Sequence, residues 1–329
     1  MNRLYNFDSL KMVCAILIVF LHVHTPYQEY ILPLTRCAVP CFFIISGYLI
    51  YSNDKINFER RLERGIKRII GILIWSTLLY MIVKFIFAVH DNDFNFLSLK
   101  AFVNFVLFND NPFGFHLWYV GAYLYTLIIV FIFSKKNKIK YIYLVIPFLL
   151  LSDLCLGKYS IVLWHREFPY IIVRNFLCVG IPYFSIGMFL SQKKEYLNQI
   201  SHLRIYTFMS VIVFSILSII ENRILINIDM NATRDHYIST TFLAVSLFLL
   251  FTTYKQKVPN LLSKWGEKDS LYIYIFHPLF IFFFNTVNHF LPEIWQNIYL
   301  YISPMVILIL TILFCTTLRK IHIYDTIKK

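Results

Sequence analysis

Residues 9–24 read SLKMVCAILIVFLHVH, an almost unbroken apolar run with Lys11 near its start and His22 near its end. Ten residues separate that lysine and that histidine. Eleven helical steps give roughly 16 Å of rise and about three full turns, so the two side chains share one face of one helix. The spacing places the cation at a membrane edge and the imidazole near the middle of the bilayer. An ionisable group at such depth is costly in hydrocarbon and marks a functional site by default. Asp8 lies one turn below Lys11. His24 falls about 200° around the helix from His22 and reads as an interfacial residue.

The rest of the chain fits the same solvent. Of its 329 residues 58% are hydrophobic and 15% charged, against about 45–50% and about 25% in soluble domains. This is an all-α, polytopic membrane composition. A spanning helix needs about 20 mostly apolar residues. Candidate spans are 9–24, 32–51, 67–89, 116–134, 141–156, 170–190, 205–221, 237–254, 270–290 and 298–318, about ten in all. The stretch 96–108 reads as an interfacial or re-entrant helix. We expect a single membrane-embedded domain over 1–329 with no appended soluble domain and no cleavable leader.

The net charge of +13 would point to nucleic acid in a soluble protein. In a membrane chain it marks cytoplasmic loops, and no nucleic-acid partner is expected. With the N-terminus inside, 23 of the 31 basic residues fall on inner segments, Arg3, Lys255, Lys328 and Lys329 among them. Both termini are therefore expected in the cytoplasm. The outer loops, about 90–115, 153–169 and 222–236, carry Asp91, Asp93, Asp110, Asp153, Glu167, Asp229 and Asp235. The six cysteines show no CxxC spacing, so neither a zinc site nor a disulfide framework is expected.

Several further elements carry chemistry. The second span holds FFIISG, Phe42 to Gly47. Its glycine permits close helix packing, and Ser46 can donate a hydrogen bond inward. The segment FERRLERGIKRI places Arg61, Arg64 and Arg68 on one helical stripe, with Lys67 beside them. Such a stripe suits bidentate phosphate recognition; it equally suits an anchor on anionic lipid headgroups. HLWYV, His116 to Val120, opens the fourth span on the outer side. Trp118 suits an aromatic belt, and His116 lies near Asp110 and Asn111, where it could contact a polar acceptor. Arg174 and Glu221 stand near outer span ends and read as snorkelling side chains. SLYIYIFHPLF in the ninth span puts His277 about two turns in from the inner edge, next to the helix-kinking Pro278.

Taken in order, these pieces resemble the acyltransferase 3 family of bacterial integral-membrane acyltransferases. NFDSLK (Asn6 to Lys11), ten residues and then His22 are similar to its opening motif. Lys11 replaces the usual arginine and keeps the cation without the planar fork. FFIISG is similar to its FF-x-x-SG element. Arg61 to Arg64, or Arg64 to Arg68, resembles its basic RxxR loop. HLWYV, GIPYFSIG (Gly180 to Gly187) and LYIYIFHPLF resemble its later segments. The resemblance implies a bacterial cytoplasmic-membrane O-acyltransferase with no bound cofactor. An acyl-CoA donor, commonly acetyl-CoA, would enter from the cytoplasm. The acceptor would be a hydroxyl on a cell-surface glycan or lipid-linked sugar. His22 would be catalytic, as general base or as acyl carrier, assisted by Lys11. Arg61, Arg64, Lys67 and Arg68 would hold the CoA phosphates. Ser46, His116, Trp118 and His277 would face substrate. A lipid-linked saccharide transporter or flippase, or a glycan polymerase, would also need many spans, but neither requires the Lys11–His22 spacing.

Overall fold

The computed structural model describes residues 4–91, 94–254 and 256–320, with the backbone alone at 90 and 91. Arg3, Asp93, Lys255, Lys328, Lys329 and the side chain of Asp91 lie outside the described residues. Within them the fold is helical throughout. The helices are α1 (Tyr5–His22), α2 (Gln28–Thr35), α3 (Ala38–Ile50), α4 (Lys55–Asp91), α5 (Leu99–Phe108), α6 (Trp118–Lys135), α7 (Ile139–Leu156), α8 (Ser160–Trp164), α9 (Tyr170–Val173), α10 (Ile181–Gln192), α11 (Lys194–Gln199), α12 (Leu203–Asn227), α13 (Ile238–Thr253), α14 (Leu261–Lys268), α15 (Ser270–His289) and α16 (Glu293–Lys320). In hydrocarbon every backbone N–H and C=O must be satisfied within the protein, and helices do this segment by segment.

Among the described residues, eight helical stretches are long and apolar enough to cross a membrane: Tyr5–His22, Gln28–Ile50, Lys55–Val89, Phe115–Lys135, Ile139–Leu156, Leu203–Asn227, Ser270–His289 and Glu293–Lys320. Phe176–Gln192 and Ile238–Thr253 are apolar but shorter. They fall where the sixth and eighth of the ten expected spans lie. The expected interfacial segment is the helix Leu99–Phe108. It buries no residue, and Leu99, Phe102 and Leu107 are exposed along it.

The basic segment before the third span is no loop. It is the start of α4, whose 37 residues amount to about 55 Å, well beyond an apolar layer of about 30 Å. Arg, Leu, Glu and Lys are good helix formers, and Gly65 alone is tolerated among them.

The chain forms two compact units, Met1–Phe42 with Ser201–Asp229 and Tyr237–Lys329, and Phe43–Ile200 with Met230–His236. In the first unit α1 is the central element, packed by α2, α13, α14, α15 and α16. Its polar opening is tied down by Asn6, which donates to the Phe251 carbonyl at 2.8 Å, and by Ser9, 3.1 Å from Gln256 Oε1. Phe7 stacks on Phe248 at 5.3 Å. Gly266 lets α14 press on α1: a Cβ there would stand 1.7 Å from the Asp8 carbonyl oxygen. Glu221 does not snorkel. It accepts from the Ile238 and Ser239 N–H groups at 2.7 and 3.1 Å and so caps the start of α13. The wall formed by α15 and α16 is closed at one end by Arg319, whose Nη1 lies 2.7 and 2.6 Å from the two oxygens of buried Asp269.

In the second unit, α3 and α10 cross on reciprocal glycines. A Cβ at Gly47 would stand 1.9 Å from the Phe184 carbonyl oxygen, and one at Gly187 would stand 2.1 Å from that of Ile44. The FFIISG and GIPYFSIG segments are thus two sides of one close backbone contact. Asn109, in the left-handed conformation (φ 58°) at the end of α5, organises the loops. It donates to the Trp118 carbonyl at 3.2 Å and accepts from the Phe176 N–H at 3.0 Å.

Candidate functional site

The first unit holds the imidazole pair. His22 is the last residue of α1. Its ring stacks on that of His277, with centroids 5.3 Å apart and planes 26° from parallel. His277 is fully buried, and twelve more residues of α15 follow it, about 18 Å of helix. Two contacts fix the geometry: Gly266 sits on Asp8, and His277 on His22. The succession α14–α15 therefore runs parallel to α1. The imidazole pair ends α1 but lies well inside the ends of α15.

His277 Nδ1 is 3.0 Å from the Ile273 carbonyl oxygen. A carbonyl only accepts, so Nδ1 carries the proton and the neutral ring keeps its lone pair on Nε2. Pro278, inside the helix, has no N–H to give to the Tyr274 carbonyl one turn earlier. At the other end of α1, Lys11 Nζ is 3.1 Å from Asp8 Oδ1. The ion pair and His22 lie on one side of the helix, as the spacing requires. His24 is exposed.

The second unit holds the remaining predicted residues. Ser46 is half-buried, one position before the crossing glycine. Arg61 Nη1 donates to the Leu49 and Tyr51 carbonyls at 3.2 and 3.0 Å and so finishes the end of α3. Lys67 pairs with Glu63 at 2.8 Å. Arg64 and Arg68 are exposed one turn apart, the arrangement suited to gripping phosphate oxygens. His116 is buried, with its ring edge-on to Tyr80 at 4.5 Å.

Trp118 lines a cleft of about 220 Å³ with Asp110, Phe115, Tyr170, Ile171 and Arg174. The Arg174 guanidinium lies 5.1 Å from the Trp118 ring centre and 5.2 Å from that of Tyr170, and its Nε is 3.5 Å from Asp235 Oδ2. Arg174 is thus engaged in the protein rather than snorkelling. Partial burial pushes the Asp110 carboxyl above the usual aspartate range, and Arg174 pulls it back.

The segment 230–236 docks beside this cleft through polar contacts. Its His236 Nδ1 is 2.7 Å from Asp153 Oδ2, both buried. Lys158 donates to the Ala232 carbonyl at 2.8 Å. Glu167 accepts from the Thr233 N–H and hydroxyl. Arg234 donates to the Phe168 carbonyl and lies 4.2 Å from the Tyr170 ring centre. Burial opposes ionisation of Glu167, but the Thr233 hydrogen bonds, with Arg234 and Lys158, outweigh it and hold that carboxyl below its usual range. Asp153 and His236 are 83 positions apart. No spacing rule connects them, and their only sequence signal is charge in outer loops.

This is the architecture of an all-helical membrane protein with an imidazole pair between two helices, a basic helix start and an aromatic polar cleft. The family model for acyltransferase 3, an acyltransferase domain, matches residues 4–319, and the chain belongs to that family. It is 25% identical to an amino-acid racemase of Enterococcus faecalis, over 88% of this chain and 43% of that protein. It is 26% identical to a serine/alanine racemase of Enterococcus gallinarum, over 96% of this chain and 46% of that protein. The chain therefore spans less than half the length of these curated relatives. No solved structure matches it.

Proposed function

We propose that the chain is a ten-span O-acyltransferase of the bacterial cytoplasmic membrane, moving an acetyl group from cytoplasmic acetyl-CoA to a hydroxyl of a cell-surface or lipid-linked glycan. The count of ten takes Phe176–Gln192 and Ile238–Thr253 as spans besides the eight longer ones. The bias of 23 basic residues in 31 puts both termini inside. The observation that carries the reading is the His22–His277 stack, in a chain of an acyltransferase family.

His22 is the catalytic residue. As general base it takes the acceptor hydroxyl proton while that oxygen attacks the thioester carbonyl. The C–S bond then breaks and the proton passes to the leaving thiolate, giving the ester and free CoA. As acyl carrier it accepts the acetyl group first and passes it on. His277, anchored on Ile273, holds the His22 ring in place. Lys11 supplies positive charge on the donor side. Arg64 and Arg68, with Lys67 and Arg61, hold the CoA phosphates. Ser46, His116 and Trp118 contact substrate. The donor is consumed as substrate, and no resident cofactor or metal is required.

The test is acetyl-CoA consumption by the purified full chain with a surface-glycan extract, followed chromatographically, for wild type and His22→Ala. Loss of turnover in a variant that remains folded supports the reading. Equal turnover ends the role of His22.

A further inference from the structure

We infer that the cleft between the α5–α6 loop and α9 is an acceptor subsite that takes one uncharged pyranose ring through two adjacent hydroxyls. The inference rests on the glycan-acylation reading and names the part of the acceptor that the protein holds. About 220 Å³ is below the range of drug-sized pockets. It admits a single small ring and excludes a nucleotide with its pantetheine arm.

Three of the six lining side chains are aromatic: Phe115, Trp118 and Tyr170. Phe115 is 58% exposed, an uncovered apolar face at the opening. Aromatic faces carry negative charge density and attract the weakly positive C–H face of a sugar. The polar lining is one carboxylate, Asp110, and one guanidinium, Arg174. An acceptor next to a donor fits two neighbouring hydroxyls, each of which can both donate and accept.

The charge balance selects an uncharged ring. Arg174 already faces Asp235 at 3.5 Å, and Asp110 shares the cleft. A uronate would meet two carboxylates. An ammonium group would meet Arg174, with Arg234 a further cation against Tyr170 at 4.2 Å. Nε of Arg174 is buried and turned toward Asp235, so the guanidinium donors left for a ligand are its Nη groups.

The walls are set in advance. Tyr170 is held through its hydroxyl on the Thr233 carbonyl, and Arg174 through Asp235. Both anchors belong to the segment 230–236, which His236 fastens to Asp153. Such preorganisation lowers the ordering cost of binding.

The test is saturation-transfer NMR on the full chain in nanodiscs, with methyl glucopyranoside, methyl glucuronide and methyl glucosaminide as probes. Asp110→Asn and Phe115→Ala are the variants. Phe115 is exposed and its removal leaves the core intact, so one variant is informative even if the other folds poorly. Saturation of the ring C–H protons of the neutral glycoside is expected, with about tenfold weaker binding in Asp110→Asn. Absence of transfer to the neutral glycoside in wild type overturns the proposal. So does undiminished binding in both variants, or preference for either charged sugar. No acyl donor is present, so binding without acetyl-CoA turnover would sink the acyltransferase reading alone. Turnover without ring contacts would sink the subsite alone.

Discussion

The imidazoles of His22 and His277 stack at 5.3 Å, although one ends the first helix and the other lies within the fifteenth. The contact gives the His277 ring a defined job. Its Nδ1 proton is committed to the Ile273 carbonyl, so the ring is fixed in both tautomer and direction. His277→Phe retains a flat partner for His22 and loses the nitrogens. Turnover of acetyl-CoA close to wild type in His277→Phe, with a loss in His277→Ala, would assign a stacking role. A fall in kcat of about 10²-fold in both, the size associated with a lost proton-transfer group, would assign a chemical role to the His277 nitrogens. His22→Ala is expected to lose about 10²–10⁴-fold in kcat.

The crossing of α3 and α10 makes a sharp stability prediction. Gly47→Ala and Gly187→Ala each drive a methyl group to about van der Waals overlap with a carbonyl oxygen, at 1.9 and 2.1 Å. Backbone cannot yield as a side-chain tip can. We expect each to lower the melting temperature and the folded yield, by at least the ~1–3 kcal/mol of core overpacking. Gly71, with nothing within 4 Å of an added Cβ, is the control. Gly71→Ala should be neutral or more stable by up to ~1 kcal/mol, the helix-propensity difference.

Arg61 and Arg64 are one turn apart and should fail differently. Arg61 donates to two carbonyls at the end of α3, so Arg61→Ala should lower thermal stability by about 1 kcal/mol. Among the described residues Arg64 reaches only a carbonyl of its own helix, that of Arg60 at 3.3 Å. Arg64→Ala and Arg68→Ala should leave the melting temperature unchanged and raise the KM for acetyl-CoA about tenfold, the cost of one charge-assisted hydrogen bond. Donor titrations that overlay on wild type would remove both residues from phosphate binding.

The helices were legible because hydrocarbon imposes one rule on every segment. Each of the apolar runs has a helical counterpart, and even Leu99–Phe108 stands out from its neighbours. Gly47 was legible as a packing glycine, but Gly187 was not legible as its partner. The polar anchors were the least legible. Arg174 and Glu221 read as snorkelling side chains because a charge near a span end has a generic explanation. Only the fold shows Arg174 against Trp118 and Tyr170, or Glu221 on the α13 N–H groups. The His236–Asp153 pair joins outer loops far apart in sequence, and helical periodicity carries no information about such contacts.

The segment 230–236 should come loose in acid. Glu167 accepts from the Thr233 N–H and hydroxyl, and its carboxyl is held below the usual glutamate range. A depressed folded-state value means that the ionised form is favoured by folding. That stabilisation is fully present above the unfolded glutamate value of about 4.3, and it is lost as pH falls through the lower folded value. Melting temperatures of wild type should therefore begin to drop as pH falls through about 4.3 and go on dropping below it. In Glu167→Gln the carboxylate is gone at every pH, so the variant should start lower and show a shallower acid slope. Parallel slopes for the two proteins would show that Glu167 is not the group that titrates. Binding of methyl glucopyranoside should weaken in the variant, because Thr233 anchors Tyr170 through its carbonyl and Tyr170 is a wall of the cleft.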